Sequence, residues 1–264
     1  TNGPAMVAAM AGLVLAEAEA CEQLRTTTAP VVDAMWDTGL MTWFNPSEAG
    51  GAEPSFEDMI RTWIDMARLD GSFGWVGIAN LPSTAAVAAL LPDAGFEAVF
   101  TDHDNRVTLG GQFFPNGTGT AVAGGYQVTG AWNFGSATGH SEYIAAGFMP
   151  MVDGEMVWAA DGIPELRVAI VPRDEVVFTD GWHVQGLKGT GSYDYELTDV
   201  FVPGYRTFDL FARTGRRGTP VRRTLTRPAG APCRPVVVPG PRCARTTPSL
   251  PMRSRRLPQS WCER

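Results

Sequence analysis

The stretch GGYQVTGAWNFGSATGHSEY, residues 124–143, lies in the strand-like part of the sequence. From about Val107 onward, short apolar runs are separated by Gly, Pro, Asn and Asp. The predicted strands are 121–128, 142–148, 156–160, 167–171, 175–178 and 193–202. This punctuation is typical of an antiparallel β-barrel or sandwich. Within the quoted stretch, Phe134 and Ser136 stand two apart and are expected on one further strand between the first two runs, so their side chains should point the same way.

The residues before this block carry the signals of helix ends. Residues 5–24 are rich in helix-forming residues, and Pro30 and Gly39 bracket a short second helix. Ser55 can cap a third helix, with Asp58 three residues on. One face of that helix is expected to be buried, because apolar residues follow at helical spacing: Phe56, Met59, Ile60, Trp63, Ile64 and Ala67.

Two further short helices, 73–79 and 83–91, are predicted on either side of Pro82. Helices followed by a block of strands indicate an α+β protein with two domains, not a Rossmann or TIM fold. We therefore expect a helical domain over residues 1–108 and a β-domain over 109–208, close enough to share one cleft.

The last part of the chain, residues 209–264, differs from the rest. Residues 1–211 hold 8 basic and 27 acidic residues, whereas 212–264 hold 13 basic and 1 acidic, with nine of the twenty prolines. This basic, Pro/Arg-rich tail is expected to be disordered, to make few contacts with residues 1–208, and to be removable with almost no change in melting temperature. Its composition resembles a GC-rich coding sequence read out of frame; a natural basic tail that contacts nucleic acid is the alternative.

Composition also limits the compartment and the kind of partner. The acidic body gives no electrostatic reason to expect nucleic acid or an anionic membrane as a partner. The apolar start of the chain lacks a preceding Lys or Arg and is interrupted by Glu17 and Glu19, so a cytoplasmic location is expected rather than secretion. No apolar run reaches the ~18 residues that span a bilayer.

Several site types are not indicated by the sequence. The four cysteines show no disulfide framework or zinc spacing, and His103 between two aspartates is more typical of a solvated turn, so no metal site is expected. Residues 186–192, GLKGTGS, lack the ending of a phosphate loop, and Ser136 lacks the glycines of a nucleophile elbow.

Four segments, in order along the chain, resemble the acyl-CoA dehydrogenase superfamily. GLMTWFNPSEAGGAEPSF (39–56) and RLDGSFGWV (68–76) resemble features of its N-terminal helical domain. Residues 124–143 and GWHVQGLKGTGSYDYELTDVFVP (181–203) resemble two motifs of its middle β-domain. The resemblance covers about 190 residues. It is closer to the flavin monooxygenase subgroup, which includes p-hydroxyphenylacetate, phenolic-steroid and dibenzothiophene oxygenases, than to the CoA-ester dehydrogenases.

The resemblance implies a flavin cofactor, FMN or FAD, and a set of residues around it. Phe134 and Trp132 would lie beside the flavin ring, and Ser136 would donate a hydrogen bond near its N5 atom; core packing is the alternative for both aromatic residues. The loop containing Phe114 and Gly117 would pass near the pyrimidine edge of the flavin. The residues expected beside the substrate, with a structural role as the alternative, are Trp182, His183, Thr190, Gly191 and Ser192.

The resemblance leaves more than one function open. The favoured activity is that of a two-component monooxygenase, which receives reduced flavin from a partner reductase and uses O2 on an aromatic or heteroaromatic substrate. The alternatives are an acyl-CoA dehydrogenase acting on a CoA thioester and an inactive flavin-binding remnant. The resemblance implies a third domain, a helical bundle that supplies catalytic groups and much of a homo-oligomer interface. We expect no counterpart of it in residues 209–264, so no catalytic residue is assigned.

Overall fold

A computed structural model of the chain describes residues 2–159, 162–179, 182–212 and 215–218. Its helices come first: α1 (Gly3–Leu24), α2 (Ala29–Asp37), α3 (Phe56–Leu69), α4 (Gly71–Leu90) and α5 (Asp93–Val99). Its strands follow: β1 (Leu109–Val122), β2 (Gly125–Gly135), β3 (Tyr143–Val152), β4 (Glu155–Met156), β5 (Arg167–Pro172), β6 (Val177–Thr179), β7 (Tyr193–Pro203) and β8 (Thr207–Asp209). The predicted α+β order, helices and then a sheet, is confirmed.

The strands form one open sheet in the order β6-β7-β2-β1-β3-β5-β8, with β4 paired to β3. The expected closed barrel or sandwich is therefore not observed. The sheet is also not wholly antiparallel, because β3 pairs in parallel with β1. The reason is topological: β1 and β2 form an antiparallel hairpin, and β3, which reverses direction again, adds to the other side of β1.

The predicted strand 121–128 is wrong, because this stretch contains the β1–β2 turn. Val122 pairs with Gly125 across a two-residue turn, and Gly124 has φ of 83°. A positive φ is easily adopted by glycine, which suits it to tight hairpin turns. Alternating apolar residues continue on both sides of the turn, so periodicity alone did not reveal it.

The expected break at Pro82 does not occur, since α4 runs through this residue. A proline inside a helix costs about 3 kcal/mol. Burial of Leu81, Val87 and Ala88 on this helix offsets that cost, because all three are completely enclosed by the protein.

Helix α3 begins as predicted, with the Ser55 hydroxyl accepting a hydrogen bond from the Asp58 amide at 3.1 Å. Its buried face is not the one expected. Thr62 and Met66 are buried against α1 and α4, with Met59 and Trp63 half-buried beside them, whereas the stripe of Phe56, Ile60 and Ile64 is exposed. Spacing identified an apolar helix, but the positions of its neighbours determine which stripe is covered.

Two helices, α1 with 22 residues and α4 with 20, are long and apolar enough to cross a membrane by length and composition. This corrects the expectation that no such segment exists. Helix α4 is mostly buried in the protein core and α1 lies near the N-terminus. Core helices and signal sequences share this composition, so these helices are weak support for a membrane span.

The helices and the sheet meet at the start of β1. The side chain of Asn80 on α4 donates to the Leu109 carbonyl at 2.5 Å, and the Leu109 amide donates to Thr84 at 3.0 Å. Apolar side chains from α4, α5 and the sheet form one cluster around this junction, including Val87, Phe100, Leu109, Ile170 and Phe208. Residues of the two predicted domains are therefore packed directly against each other.

The start of the predicted tail is packed against the helices. Leu210 and Ala212 contact the junction cluster, and the Arg216 amide donates to the Ala89 carbonyl at 2.7 Å. Arg217 is buried, with its guanidinium 3.9 Å from the ring centre of Phe96. Few contacts were expected from residue 209 onward, and these residues differ from that expectation. Residues 219–264 lie outside the described part of the chain.

We predict that Arg217→Ala lowers the free energy of unfolding by about 1.5–3 kcal/mol, the range for hydrogen bonds to charged groups. Arg217 donates to the Leu91 carbonyl at 2.8 Å and to Asp93 at 2.5 Å. Urea unfolding measures the loss. Arg216→Ala is the matched control, since this neighbouring side chain is exposed. Equal stability of the Arg217 variant and the wild type would contradict the prediction.

Candidate functional site

The hydroxyl of Ser136, just beyond the end of β2, is the polar centre of the candidate site. It accepts a hydrogen bond from the indole nitrogen of Trp75 on α4 at 2.8 Å. It lies 2.9 Å from the hydroxyl of Ser192, which lies 2.7 Å from that of Thr190. Thr190 and Ser192 are 0% and 1% exposed, so two of these three hydroxyl groups are enclosed by the protein.

Phe134 is an exposed aromatic residue held by its backbone. Its amide donates to one carboxylate oxygen of Asp194 at 2.9 Å, while Asn133 donates to the other at 2.9 Å. The Phe134 side chain is 63% exposed, and its ring makes an edge contact with Trp182 at 6.1 Å. A large aromatic side chain held in an exposed position can contact a ligand.

Phe134 and Ser136 do not stand on one regular strand as expected. The β2–β7 register shifts between Trp132 and Gly135, and Phe134 has φ of 60°. The two-residue alternation therefore fails at this point, because it requires extended backbone throughout. The bulge turns Phe134 outward and carries the chain around to Ser136.

Trp132 lies in the sheet core. It is 1% exposed, stacks on Tyr195 at 5.3 Å, and donates to the Gly147 carbonyl at 3.0 Å. Gly117 packs directly against it, since a Cβ atom added there would lie 2.6 Å from the Trp132 ring. Both residues were expected near a flavin; the structure instead places Trp132 and Gly117 in core packing, the alternative for Trp132.

Phe114 projects from an irregular part of β1, where the pairing with β3 shifts register between Gln112 and Gly117. Its side chain is 67% exposed, while its carbonyl accepts a hydrogen bond from Trp132 at 3.2 Å. The backbone is thus anchored while the ring stays accessible. The Phe114 ring is therefore accessible enough to contact a ligand.

The residues expected near a substrate divide into two groups. Trp182 is half-buried and donates to the Lys188 carbonyl at 3.1 Å, and the exposed ring of His183 lies 2.7 Å from the Arg25 guanidinium. Thr190, Gly191 and Ser192 belong to a tight turn instead. The Gly191 carbonyl accepts from Thr138 at 3.0 Å, and its φ of 58° suits glycine. Thr190 and Ser192 are buried and Gly191 lies in the turn between them, so these three residues pack against the loop that carries Ser136.

Trp75 and Asp194 are two residues of this site that the sequence did not reveal. Both belong to quoted motifs, yet neither side chain carried a sign of its contact with Ser136 or Phe134. The Trp75–Ser136 hydrogen bond joins positions 61 residues apart, which sequence spacing cannot predict.

His140 belongs to the same loop as Ser136, between β2 and β3, and is half-buried. Both ring nitrogens are shielded from solvent, and neither has a hydrogen-bond partner among the described residues. Burial, together with the nearby Arg173 cation, lowers the pKa of His140 to about 4. The loop that carries Ser136 therefore contains a histidine that is neutral at ordinary pH.

The arrangement suits a planar aromatic ligand with a polar edge. Phe134 and Phe114 present exposed aromatic surface, and Trp75, which is 42% exposed, donates its hydrogen bond to the Ser136 hydroxyl. Apolar walls with a few placed polar groups are typical of cofactor and small-molecule sites. A flavin ring system fits this donor and acceptor set.

The chain is similar to oxygenase subunits of flavin-dependent monooxygenases. It is 32% identical over 205 residues to the pigment production hydroxylase of Rhodococcus erythropolis, which covers 76% of this chain and 50% of that protein. It is 32% identical over 193 residues to the flavin-dependent monooxygenase oxygenase subunit HsaA of Mycobacterium tuberculosis, covering 72% of this chain and 46% of that protein.

The fold is similar as well. The crystal structure of the M. tuberculosis HsaA monooxygenase aligns with a TM-score of 0.73 and 28% identity, covering 80% of this chain and 56% of that chain. No protein-family model matches the chain. The chain spans about half the length of the relatives it matches.

We predict that the stability of the protein falls between pH 6.5 and pH 4 because of His140. In this window the unfolded chain binds a proton at this residue while the folded protein does not, so lowering the pH favours unfolding. The loss reaches about 3 kcal/mol for a pKa depression of this size.

Urea unfolding of the wild type and His140→Gln at pH 6.8 and 4.5 isolates this contribution. The variant should lose less stability than the wild type, whereas His103→Gln, at an exposed histidine, should behave like the wild type. Parallel pH curves for all three proteins would contradict the prediction.

Proposed function

We propose that the chain is the flavin-contacting part of an oxygenase component that uses reduced flavin and O2 to hydroxylate an aromatic or heteroaromatic small molecule. In this proposal residues 1–108 and 109–208 are its first two domains. The observation that carries it is the placement of the Ser136 hydroxyl among exposed aromatic residues, in a chain similar to flavin-dependent oxygenase subunits. Reduced flavin, when bound, supplies the two electrons that O2 activation requires.

The residues have distinct parts in this proposal. Phe134 contacts the apolar face of the flavin ring system, and Ser136 forms a hydrogen bond at its polar edge. Phe114 borders the same surface. Trp182 and His183 stand on the substrate side, where Trp182 holds the Phe134 ring by an edge contact. Aromatic contacts of this kind suit an aromatic substrate as well as a flavin.

The proposed partners follow from the component type. HsaA is named an oxygenase subunit, so a separate reductase would supply reduced flavin here too. A cytoplasmic location and a homo-oligomeric whole enzyme are part of the same proposal. Because the match covers about half of each relative, we expect this chain alone to bind flavin weakly and to turn over little or nothing.

The direct test is anaerobic titration of the purified chain with FMN and FAD, each oxidised and reduced. Binding of flavin is the expected result. Addition of ¹⁸O2 and a panel of phenols and indoles to the reduced complex then tests hydroxylation by mass spectrometry. Absence of binding for both flavins in both redox states would show that the proposal is wrong.

We predict that two substitutions weaken flavin binding to different degrees. Ser136→Ala removes one neutral hydrogen bond and should weaken binding by about 0.5–1.5 kcal/mol. Phe134→Ala removes a large apolar contact and should cost more, up to about 3 kcal/mol. Equilibrium titration monitored by flavin absorbance and fluorescence measures both effects.

Phe201→Ala is the matched control, because Phe201 is an exposed phenylalanine paired with Gln127 near the other end of β7. Its flavin affinity should equal that of the wild type. Equal affinity of all four proteins would remove Ser136 and Phe134 from the site, even if the chain binds flavin.

A further inference from the structure

Ser136, Ser192 and Thr190 form a row of three hydroxyl groups, here called the hydroxyl chain. The outer end, Ser136, accepts from the Trp75 indole at 2.8 Å. The inner end, Thr190, donates to the Leu187 carbonyl at 3.0 Å. The two links between the hydroxyls measure 2.9 and 2.7 Å.

Proton counting gives the chain a direction. Each hydroxyl has one proton and two lone pairs, while an indole N–H can only donate. If Thr190 donates to the Leu187 carbonyl, Ser192 must donate to Thr190, and Ser136 must then donate to Ser192. In this inward direction all three protons are bonded within the protein. Ser136 is left with one free lone pair and no free proton.

The outward direction is less favourable without a ligand. Thr190 would then donate to Ser192, and Ser192 to Ser136, so the Thr190–Leu187 bond is lost. The Ser136 proton would point toward the exposed aromatic surface. The Leu187 carbonyl would then keep only its longer bonds, at 3.3 Å, from the Thr190 amide and the Trp182 indole, so the protein holds one internal hydrogen bond fewer than in the inward direction. The unliganded site therefore presents Ser136 as an acceptor, in contrast to the donor role implied by resemblance.

This direction bears on the redox state of a bound flavin. The N5 atom of a reduced flavin carries a proton and donates a hydrogen bond, whereas N5 of an oxidised flavin only accepts one. We propose that Trp75, Ser192 and Thr190 are positioning residues that hold Ser136 as an acceptor and make the site select reduced flavin. This inference rests on the proposed function. These three residues would then control the ratio of the affinities for reduced and oxidised flavin.

The test compares the dissociation constants of oxidised and reduced flavin for the same protein under anaerobic conditions. Thr190→Val keeps the shape of the side chain but removes the inner hydroxyl. Ser192 must then donate to Ser136, which turns the Ser136 proton outward. The preference for reduced flavin should fall by at least about fivefold, as expected for one hydrogen bond gained by the oxidised form and one lost by the reduced form.

Thr190→Ser restores a hydroxyl at the same place and should retain the wild-type preference. Ser192→Ala interrupts the chain one step nearer the site and should lower the preference as Thr190→Val does, so it serves if the valine variant fails to fold. Trp158→Phe is the control for substitution of an exposed tryptophan, because Trp158 is 59% exposed and lies outside the hydroxyl chain.

The Trp75 link can be observed without flavin. The ¹⁵N-indole resonance that disappears in Trp75→Phe identifies Trp75, and this resonance should shift in Ser136→Ala because its acceptor is lost. Trp75→Phe should also reduce the preference for reduced flavin, since the Ser136 oxygen then loses the hydrogen bond that fixes its position beside α4. An unmoved resonance would show that the hydrogen bond does not form in solution and would overturn the inference.

The outcomes separate the two proposals. If no flavin binds in either redox state, the proposed function is wrong, and this inference is overturned with it. If flavin binds and Thr190→Val and Ser192→Ala keep the wild-type preference, only the inference is wrong. An equal fall in preference in Thr190→Val and Thr190→Ser would indicate a packing effect and would also overturn it.

Discussion

The site depends on one buried side chain, Tyr195 of β7. Its hydroxyl donates to the Ala145 carbonyl of β3 at 2.5 Å and accepts from the Gln112 amide of β1 at 2.9 Å. Its ring stacks on Trp132 of β2 at 5.3 Å. Four strands thus meet at one residue, at the point where β1 leaves its regular pairing with β3. Burial raises the pKa of Tyr195, so its hydroxyl remains protonated and keeps its donor role.

The two residues that precede Tyr195 on β7 hold the backbone of the candidate site. Asp194 binds the backbone of Phe134, and Tyr193 pairs with Gly135 at the end of β2. The pairing of β2 with β7 therefore determines both the burial of Trp132 and the exposure of Phe134. A bulge in a strand commonly redirects a side chain beside a functional site, and here it exposes an aromatic ring.

The helices contribute by being joined to the sheet at a fixed point. Asn80 and Thr84 of α4 bond the backbone at the start of β1, and the same helix carries Trp75 to Ser136. Because the hydrogen-bonded groups at this junction are buried, breaking any one of them leaves a polar group unpaired. The junction therefore couples the position of Trp75 to the sheet, and with it the orientation of the Ser136 hydroxyl.

Local chemistry by itself determined the helix start at Ser55, the switch from helices to strands near Val107, and the α+β order. Each depends on residues close together in the chain, where capping and periodicity act. Tertiary structure alone decided the parallel β1–β3 pair, the face of α3 that is buried, the core position of Trp132 and the bond from Trp75 to Ser136. Each of these features depends on which distant segments pack together, and such contacts leave no local sequence pattern. The Trp75–Ser136 hydrogen bond, for example, joins residues 61 positions apart.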